Sequence, residues 1–428
     1  MAKCLPRPQA PRTAKETARL AWVVLGLAMA CFLVLCILAG YGLWRLRASI
    51  IGPQHNNTLE AFASPVFRIR AGEEQSIGVP LGPAVLLHEG ETVHIGESAS
   101  PGEAALLTLW DGSTLQLYAR TRIVLRRLEA TLYSDQFQDV VLELQAGQTI
   151  IGVAQTGQYQ QVHFTVLLPG GRVELAPGGT YLVRSEPVPE VAVRRGQAQV
   201  WSATSSGTAV IGTGEKVVIQ ANTPLKVESA HWQLIQNGDF SQVIGGELQH
   251  WEFRSDQYGD GGDENAVYSL LQDMVGGRVV PVIELLRKGG TEDLCAAILS
   301  QQTEVDLSPY HLVQLDLDLH LKYQGLPGGG PGGENYPFAV RIRYQDAEGH
   351  SRQYLYGFYY YTSEGYKTTP QSGEAYVFPN YRWEHVTLQL LDLRPQPVLL
   401  NSIELLASGQ DYRSWVANVS LIATLNND

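Results

Sequence analysis

The chain has 428 residues, of which 44% are hydrophobic and 17% are charged, and it contains 20 Tyr and 8 Trp. This length predicts two or three domains, and the low charge with many aromatic residues excludes an intrinsically disordered protein. The net charge of −12 is unevenly distributed, because residues 1–47 carry seven basic side chains and one acidic one. The rest of the chain is therefore strongly acidic, which excludes nucleic acid as its partner.

The first predicted element is a transmembrane helix over 20–44, a run of 25 residues without a charge. About 20 apolar residues cross a bilayer core, and Trp22, Tyr41 and Trp44 lie where aromatic belts meet the two interfaces. Five basic residues precede the run and two follow it closely, which makes residues 1–19 a basic cytoplasmic tail. We therefore predict a single-pass protein of the cell membrane, with a cytoplasmic N-terminus and an extracytoplasmic bulk.

A cleaved signal peptide is the alternative to an anchor. The apolar run is longer than a signal peptide needs, and it ends in Trp-Arg-Leu-Arg without a small-residue cleavage site. Cys4, Cys31 and Cys36 lie in the tail and the helix, which leaves Cys295 as the one cysteine of the exported part. That part therefore has no internal disulfide and no cysteine-based zinc site.

A spacer is predicted at 45–75, followed by an all-β domain at 76–228. Short alternating apolar runs are separated by glycine turns throughout this second segment. Asp111-Gly112 between two such runs is a strong hairpin signal.

The order of these runs resembles the FecR-type periplasmic domain, an iron-dicitrate sensor-like family. The matching elements are Glu89-Gly90-Glu91, Leu107-x-Leu109-x-Asp111-Gly112-Ser113-x-Leu115-x-Leu117, Phe164-x-Val166-x-x-Pro169, Gly179-Thr180-Tyr181-x-Val183, Val193-x-x-Gly196 and Gly214-Glu215. The resemblance implies an extracytoplasmic sensor domain. Familiar members of the family carry an N-terminal helical anti-sigma domain, but the tail at 1–19 is too short for one and contains three prolines.

A second β-domain, a sandwich, is predicted at 229–428. Asn237-Gly238-Asp239-Phe240 followed by Trp251 resembles the opening of carbohydrate-binding, galactose-binding-like jelly rolls. The segment 312–323 alternates strictly, with leucines on one face and Asp316, Asp318 and His320 on the other, which predicts a half-buried strand. A short helix is predicted at 292–300. The overall expectation is a mainly β protein with one N-terminal transmembrane helix, a FecR-like domain and a jelly roll.

An acidic, glycine-containing loop is a candidate calcium site in the second β-domain. Asp256, Asp260, Asp263 and Glu264 provide carboxylate oxygens, which calcium prefers as ligands. The spacing matches no EF-hand, and a solvated acidic loop is the alternative. Apart from this structural calcium, no cofactor is predicted.

Aromatic residues near 354–361 supply the candidate ligand site. Tyr354, Tyr356, Phe358 and Tyr360 alternate with Tyr359 and Tyr361, so both faces of one strand carry rings. Packing with hydrogen-bonded hydroxyls is the alternative, and Trp251, Trp383 and Trp415 are expected in the core. If the domain has a ligand face, we predict that it consists of Tyr359, Tyr361, Tyr366 and Trp383.

No catalytic residue is predicted. The sequence has no G-x-S-x-G, no H-E-x-x-H and no histidine cluster, and the glycine-rich stretch at 326–333 lacks the Lys-Ser/Thr of a phosphate loop. The expected function is non-catalytic recognition of a glycan or an envelope protein at the membrane. The alternatives are a transmembrane regulator of the FecR anti-sigma type, acting on a cytoplasmic partner, and a structural role in envelope assembly.

Overall fold

The structure is a computed structural model that describes residues 14–48, 50–63, 65–96, 102–132, 137–155, 161–205, 207–256, 266–289, 294–330, 333 and 335–425. The chain divides into two compact units. The smaller comprises the described residues of Met1–Pro53, Glu129–Asp139 and Gly157–Val162. The larger comprises those of Gln54–Leu128, Val140–Thr156 and His163–Asp428.

The smaller unit is dominated by α1 (Ala14–Ala48), the one helix among the described residues. Within it, Trp22–Arg45 is long and apolar enough to cross a membrane, and none of its most apolar stretch is buried. The short strand β1 (Ile51–Pro53) follows the helix and pairs antiparallel with Glu129, Ala130 and Thr131.

The first sandwich is formed by two sheets, whose strands begin within the segment predicted as a spacer. The strands after β1 are β2 (Asn57–Ala61), β3 (Val66–Ile69), β4 (Ser76–Gly78), β5 (Val85–Leu87), β6 (Thr92–Ile95), β7 (Glu103–Thr108), β8 (Thr114–Tyr118), β9 (Arg122–Thr131), β10 (Phe137–Ala146), β11 (Gln148–Gly152), β12 (Gln161–Leu168), β13 (Gly171–Leu175), β14 (Thr180–Arg184), β15 (Glu190–Arg195), β16 (Gln197–Ser202), β17 (Thr208–Gly212), β18 (Glu215–Val218) and β19 (Val227–Ser229). Sheet 1 has the order β17-β16-β13-β12-β10-β9-β6-β3-β4, with β1 beside β9, and sheet 2 has the order β19-β18-β15-β14-β11-β8-β7-β2-β5.

Alternating apolar side chains from both sheets form the core of this sandwich. In β10, Val140, Leu142 and Leu144 are buried while the residues between them are not, the pattern of a strand with one face toward a core. The predicted Asp111-Gly112 hairpin joins β7 to β8, with Leu107 opposite Leu115. Gly112 adopts a positive φ of 86°, which glycine adopts without steric cost.

The second sandwich follows directly along the chain. Its strands are β20 (His231–Gln233), β21 (Val243–Ile244), β22 (Glu247–Leu248), β23 (Glu252–Asp256), β24 (Val267–Val275), β25 (Arg278–Arg287), β26 (Cys295–Asp306), β27 (Leu312–Gln324), β28 (Phe338–Gln345), β29 (Ser351–Tyr359), β30 (Gly373–Val377), β31 (Glu384–Gln389), β32 (Leu399–Gly409) and β33 (Tyr412–Thr424). Sheet 3 has the order β24-β25-β33-β27-β31, with β20 beside β33, and sheet 4 has the order β23-β26-β32-β28-β29-β30. The strands β21 and β22 form a separate hairpin.

The predicted alternation in β27 is confirmed. Leu315, Leu317, Leu319 and Leu321 are fully buried in the cluster between sheets 3 and 4. Their polar neighbours therefore lie on the opposite face of sheet 3, which we call its outer face.

The prediction of a helix at 292–300 is wrong for the part of this segment that the structure describes, because Cys295–Asp306 forms the strand β26. This strand pairs with β23 on one side and β32 on the other. Its residues 295–301 are buried on both faces, so the apolar run has no period of two. Periodicity alone does not distinguish such a run from a buried helix.

Arg184 joins the two sandwiches within the larger unit. Its Nε donates to Gln148 Oε1 at 2.9 Å, its Nη1 to Glu190 Oε1 at 2.6 Å and its Nη2 to the Tyr310 hydroxyl at 2.7 Å. Trp232 lies under the guanidinium, 5.3 Å from ring centre to Cζ. Burial opposes the charge of Arg184, but Tyr310 and Glu190 outweigh it and raise the pKa of the guanidinium.

Candidate functional site

The outer face of sheet 3 carries a cluster of aromatic rings. His320 of β27 lies between Trp383, just before β31, and Trp415 of β33, with ring centres 5.4 and 5.8 Å away. The two indoles are half-buried and 6.4 Å apart. Neighbouring strands supply these rings because outward-facing positions recur every second residue and line up across the sheet.

Charged side chains fix the orientation of both indoles. Trp383 Nε1 donates to Asp273 Oδ2 at 2.9 Å, and Trp415 Nε1 donates to Glu284 Oε1 at 2.8 Å. Lys322 Nζ lies 3.8 Å from the centre of the Trp415 ring, within cation–π range. The indole hydrogen bond, with the nearby positive charge of Lys322, lowers the pKa of Asp273 and so favours its ionised, accepting form.

A cavity of about 470 Å³ opens beside Trp383. Its wall is formed by Val275, Gly276, Arg278, Asp318, Trp383, Glu384, His385 and Asn418. Asp318 is held in place there by hydrogen bonds with His385 Nδ1 at 3.0 Å and Asn418 Nδ2 at 2.7 Å. The cavity therefore brings the partly exposed Trp383 indole together with the polar side chains of Asp318, His385 and Asn418.

His320 makes this face sensitive to acid. The side chain is 6% exposed, and burial, together with the charge of Lys322, lowers the pKa of His320 to about 4. An unfolded histidine has a pKa of about 6.5, so the unfolded chain binds the proton more tightly. The contribution of neutral His320 to the free energy of unfolding is therefore complete above pH ~6.5, and it is lost as the pH falls toward 4.

Replacing His320 with phenylalanine should reduce this acid sensitivity. The free energy of unfolding falls between pH 7 and pH 4.5, and this fall should be about 2 kcal/mol smaller in His320→Phe than in the wild type. Each unit of pKa shift is worth about 1.4 kcal/mol. Urea denaturation of the purified chain at both pH values measures it, and His55→Phe, at an exposed position, is the control. An unchanged pH dependence in His320→Phe would contradict the assignment.

The four predicted ligand residues occupy three different places. Tyr359 is 7% exposed and packs against Tyr336 on the face of sheet 4 that lies away from the main core. Tyr361 is 38% exposed, and its hydroxyl donates to the Gly325 carbonyl at 3.0 Å. Trp383 lies on sheet 3, so the structure does not bring it together with Tyr359.

Tyr361 and Tyr366 do lie near each other. Burial raises the pKa of Tyr361, and the neighbouring hydroxyls of Tyr323 and Tyr366 raise it further. Tyr323 is half exposed, so Tyr323, Tyr361 and Tyr366 form a small tyrosine surface that does not include Trp383. Ligand binding by any of these residues stays a prediction.

Most residues of the cavity carry no recognisable signal in the sequence. Trp383 and Trp415, both expected in the core, lie half-buried on the outer face of sheet 3. Asp318 was identified as an outward-facing residue, but nothing in the sequence connected it with His385 or Asn418. The signal available was the strict alternation of β27, which already placed Asp318 and His320 on one face.

The predicted calcium site lies largely outside the described residues. Asp256 is the last residue of β23 and pairs with Ala296, whereas Asp260, Asp263 and Glu264 are not described. Calcium binding there stays a prediction.

Another group of potential metal ligands lies in the turn between β28 and β29. Ligand atoms of Asp346, Glu348 and His350 lie within 4.8 Å of one another. Asp346 already accepts from Arg352 Nε at 2.8 Å. A cation would compete with this guanidinium, which disfavours a metal site.

A cleft of about 1400 Å³ lies between the two sandwiches of the larger unit, and Arg184, Glu190, Trp232 and Tyr310 contribute to its wall. Their polar groups are already bonded to one another. The cluster therefore holds the sandwiches together.

Comparison with known proteins identifies no family for this chain and finds only distant structural similarity. No protein-family model matches the chain, and no curated protein matches it. Similar solved structures include a candidate anti-sigma factor from Parabacteroides distasonis, with 18% identity, a TM-score of 0.25 and coverage of 32% of this chain and 59% of that chain. They also include the family 11 carbohydrate-binding module of Clostridium thermocellum in complex with a β-1,3-1,4-mixed-linked tetrasaccharide, with 15% identity, a TM-score of 0.25 and coverage of 46% and 98%.

An exo-β-agarase is also similar, with 11% identity, a TM-score of 0.27 and coverage of 46% of this chain and 26% of that chain. These identities and TM-scores support no transfer of activity. The chain is a mainly β protein with one N-terminal apolar helix and sheets of the β-sandwich kind.

Proposed function

We propose that this chain is a non-catalytic, membrane-anchored recognition protein whose second sandwich binds a glycan on the outer face of sheet 3. The observation that carries the proposal is the cavity beside Trp383, where an indole borders Asp318, His385 and Asn418. A sugar ring has one apolar C–H face and a rim of hydroxyls. An indole complements the face, and planar carboxylate, amide and imidazole groups complement the hydroxyls.

Hydrogen bonds orient the indole and the carboxylate that border the cavity. Asp273 fixes Trp383, while His385 and Asn418 fix Asp318. A ligand therefore binds without first ordering these side chains, which lowers the entropic cost of binding. Both carboxylate oxygens of Asp318 already have protein partners, which favours an orienting role over acid–base chemistry.

Membrane anchoring by α1 is part of the proposal. The apolar segment Trp22–Arg45 is long enough to span a bilayer. Basic residues are more numerous before it than after it, which favours a cytoplasmic N-terminus. The sandwiches would then face the extracytoplasmic side, where envelope glycans are available.

A glycan array probed with the full-length protein in detergent micelles tests the function. We expect the wild-type chain to retain a defined set of glycans, and Trp383→Ala to lose at least about tenfold in affinity, the loss typical of an aromatic anchor. Trp201→Ala is the matched control, because Trp201 is partly buried on β16 of the first sandwich. No retained glycan, or equal affinity of Trp383→Ala and wild type, would refute the proposal.

A further inference from the structure

β24 is the longest terminal strand of the four large sheets. It has nine residues, whereas the strands at the other ends of these sheets have three to six within the described chain. Among the described strands it pairs with β25 alone. A long free edge invites pairing with another strand, and proteins usually protect it with charges, proline or a bulge.

This edge lacks those protections. Its nine residues contain one charged side chain, Asp273, and no proline, and the register with β25 runs without a bulge. Leu270 is 41% exposed and Met274 is 62% exposed, and Val279 opposite Met274 is similarly exposed. The edge and its apolar side chains therefore form one surface that no other described strand covers.

The hairpin turn determines which backbone groups of β24 point away from β25. Gly276 and Gly277 form a two-residue turn with φ of 57° and 82°, the kind in which the flanking residues, here Val275 and Arg278, exchange hydrogen bonds. Since bonded pairs alternate along an antiparallel ladder, every second residue of β24 turns its amide and carbonyl away from β25. These outward-facing residues are Tyr268, Leu270, Gln272 and Met274, and the Met274 amide also donates to the Asp273 carboxylate.

The strand is complementary to itself in one antiparallel register. When Leu271 of one copy lies opposite Leu271 of a second copy, all nine residues of β24 pair. In this register Tyr268 of one copy faces Met274 of the other, and Leu270 faces Gln272. Each of these pairs joins two outward-facing residues, as a hydrogen-bonded ladder requires. Asp273 faces Ser269, so the only charge meets a hydroxyl and no like charges oppose each other.

We propose that two copies of this chain associate through β24, which joins their two copies of sheet 3 into one continuous sheet. This is a two-fold symmetric contact in which the same strand serves both partners. Anchoring in one membrane would favour it by raising the effective concentration of the copies. The contact needs no ligand of the sandwich, so its test does not depend on the glycan proposal.

Disulfide cross-linking tests the register. Leu271 forms a non-bonded pair with its counterpart, whose Cα atoms would be about 4.5 Å apart, within disulfide range. In a full-length chain carrying Cys4→Ser, Cys31→Ala and Cys36→Ala, we expect Leu271→Cys to form disulfide dimers in membranes. Val210→Cys, on the terminal strand β17 of sheet 1, is the control, and equal cross-linking by both would overturn the proposal.

A charge pair provides a second, independent measurement. Leu270→Lys should weaken association in detergent micelles at least about tenfold, because two unpaired charges would enter the contact. Adding Gln272→Glu should restore it, since the introduced ammonium group of one copy would face the introduced carboxylate of the other. Val210→Lys should leave association unchanged, and a wild-type chain that is monomeric at all concentrations would overturn the proposal.

Discussion

Replacing Gly238 with alanine should destabilise the second sandwich by about 3 kcal/mol, the upper range for a steric clash in a packed site. A Cβ atom on Gly238 would lie 1.9 Å from the Val419 carbonyl oxygen and 2.9 Å from its carbon. Both are backbone atoms of β33, so a side-chain rotation does not relieve the contact. The Gly238 carbonyl also accepts from Val419 N at 2.9 Å, and moving the chain apart would break this bond.

The surroundings of Gly238 leave it no room to shift. Asn237 donates through Nδ2 to the carbonyls of Gln242 and Gln249, at 3.0 and 2.9 Å. Its own carbonyl accepts from the buried Trp251 Nε1 at 3.1 Å. The Asn237-Gly238-Asp239-Phe240 motif is therefore a turn that fastens the start of the second sandwich to its last strand.

Urea denaturation of the full-length chain, followed by tryptophan fluorescence, measures the effect. Gly78→Ala is the matched control, because a Cβ there meets nothing within 4 Å and its φ is not in the positive range. Equal stability of Gly238→Ala and Gly78→Ala would show that β33 moves away at little cost, contrary to the prediction.

Replacing Arg184 with methionine should cost about 3–5 kcal/mol, the usual result of removing one partner of a buried ion pair. Methionine keeps much of the apolar stem but makes none of the three hydrogen bonds to Gln148, Glu190 and Tyr310. The Glu190 carboxylate would keep the Trp232 indole donor at 3.0 Å but would lose its only described counter-ion at hydrogen-bonding distance. Only the more distant charge of Lys216 would then offset the burial of the Glu190 carboxylate, and this burial dominates the expected loss.

The double variant Arg184→Met/Glu190→Gln identifies the cause. Neutralising residue 190 should recover more than about 1 kcal/mol of the loss, because an amide costs less to bury than a carboxylate. Arg172→Met is the control, since Arg172 stacks 4.6 Å over Trp201 at an exposed position. If the double variant is no more stable than Arg184→Met, lost packing and not charge explains the effect.

Local sequence signals predicted much of the fold. The Asp111-Gly112 turn and the alternation of β27 both depend on neighbours in sequence, and both are confirmed. The strand β26 was mistaken for a helix because its pattern reflects two buried faces, which depend on β23, β32 and the partner sheet. The predicted domain boundaries stay predictions, although β2 and β3 lie within the segment 45–75 that was assigned to a spacer.

The candidate site was less accessible from sequence. Asp318 and His385 are 67 positions apart, and Asp318 and Asn418 are 100 apart. Strand order and register bring them together, and neither is encoded in local periodicity. The sequence did select Trp383, but it grouped this residue with Tyr359, which the chain places on another sheet.

One wall of the cavity beside Trp383 belongs to the β24–β25 hairpin, through Val275, Gly276 and Arg278. A hairpin at the end of a sheet opens locally at lower free energy than the sheet interior. Opening of the hairpin would remove this wall. It would also move Asp273, the hydrogen-bond acceptor that orients the Trp383 indole. The lifetime of a bound ligand would then follow the fraying rate of the hairpin, and a second copy paired along β24 would prolong that lifetime without contacting the ligand.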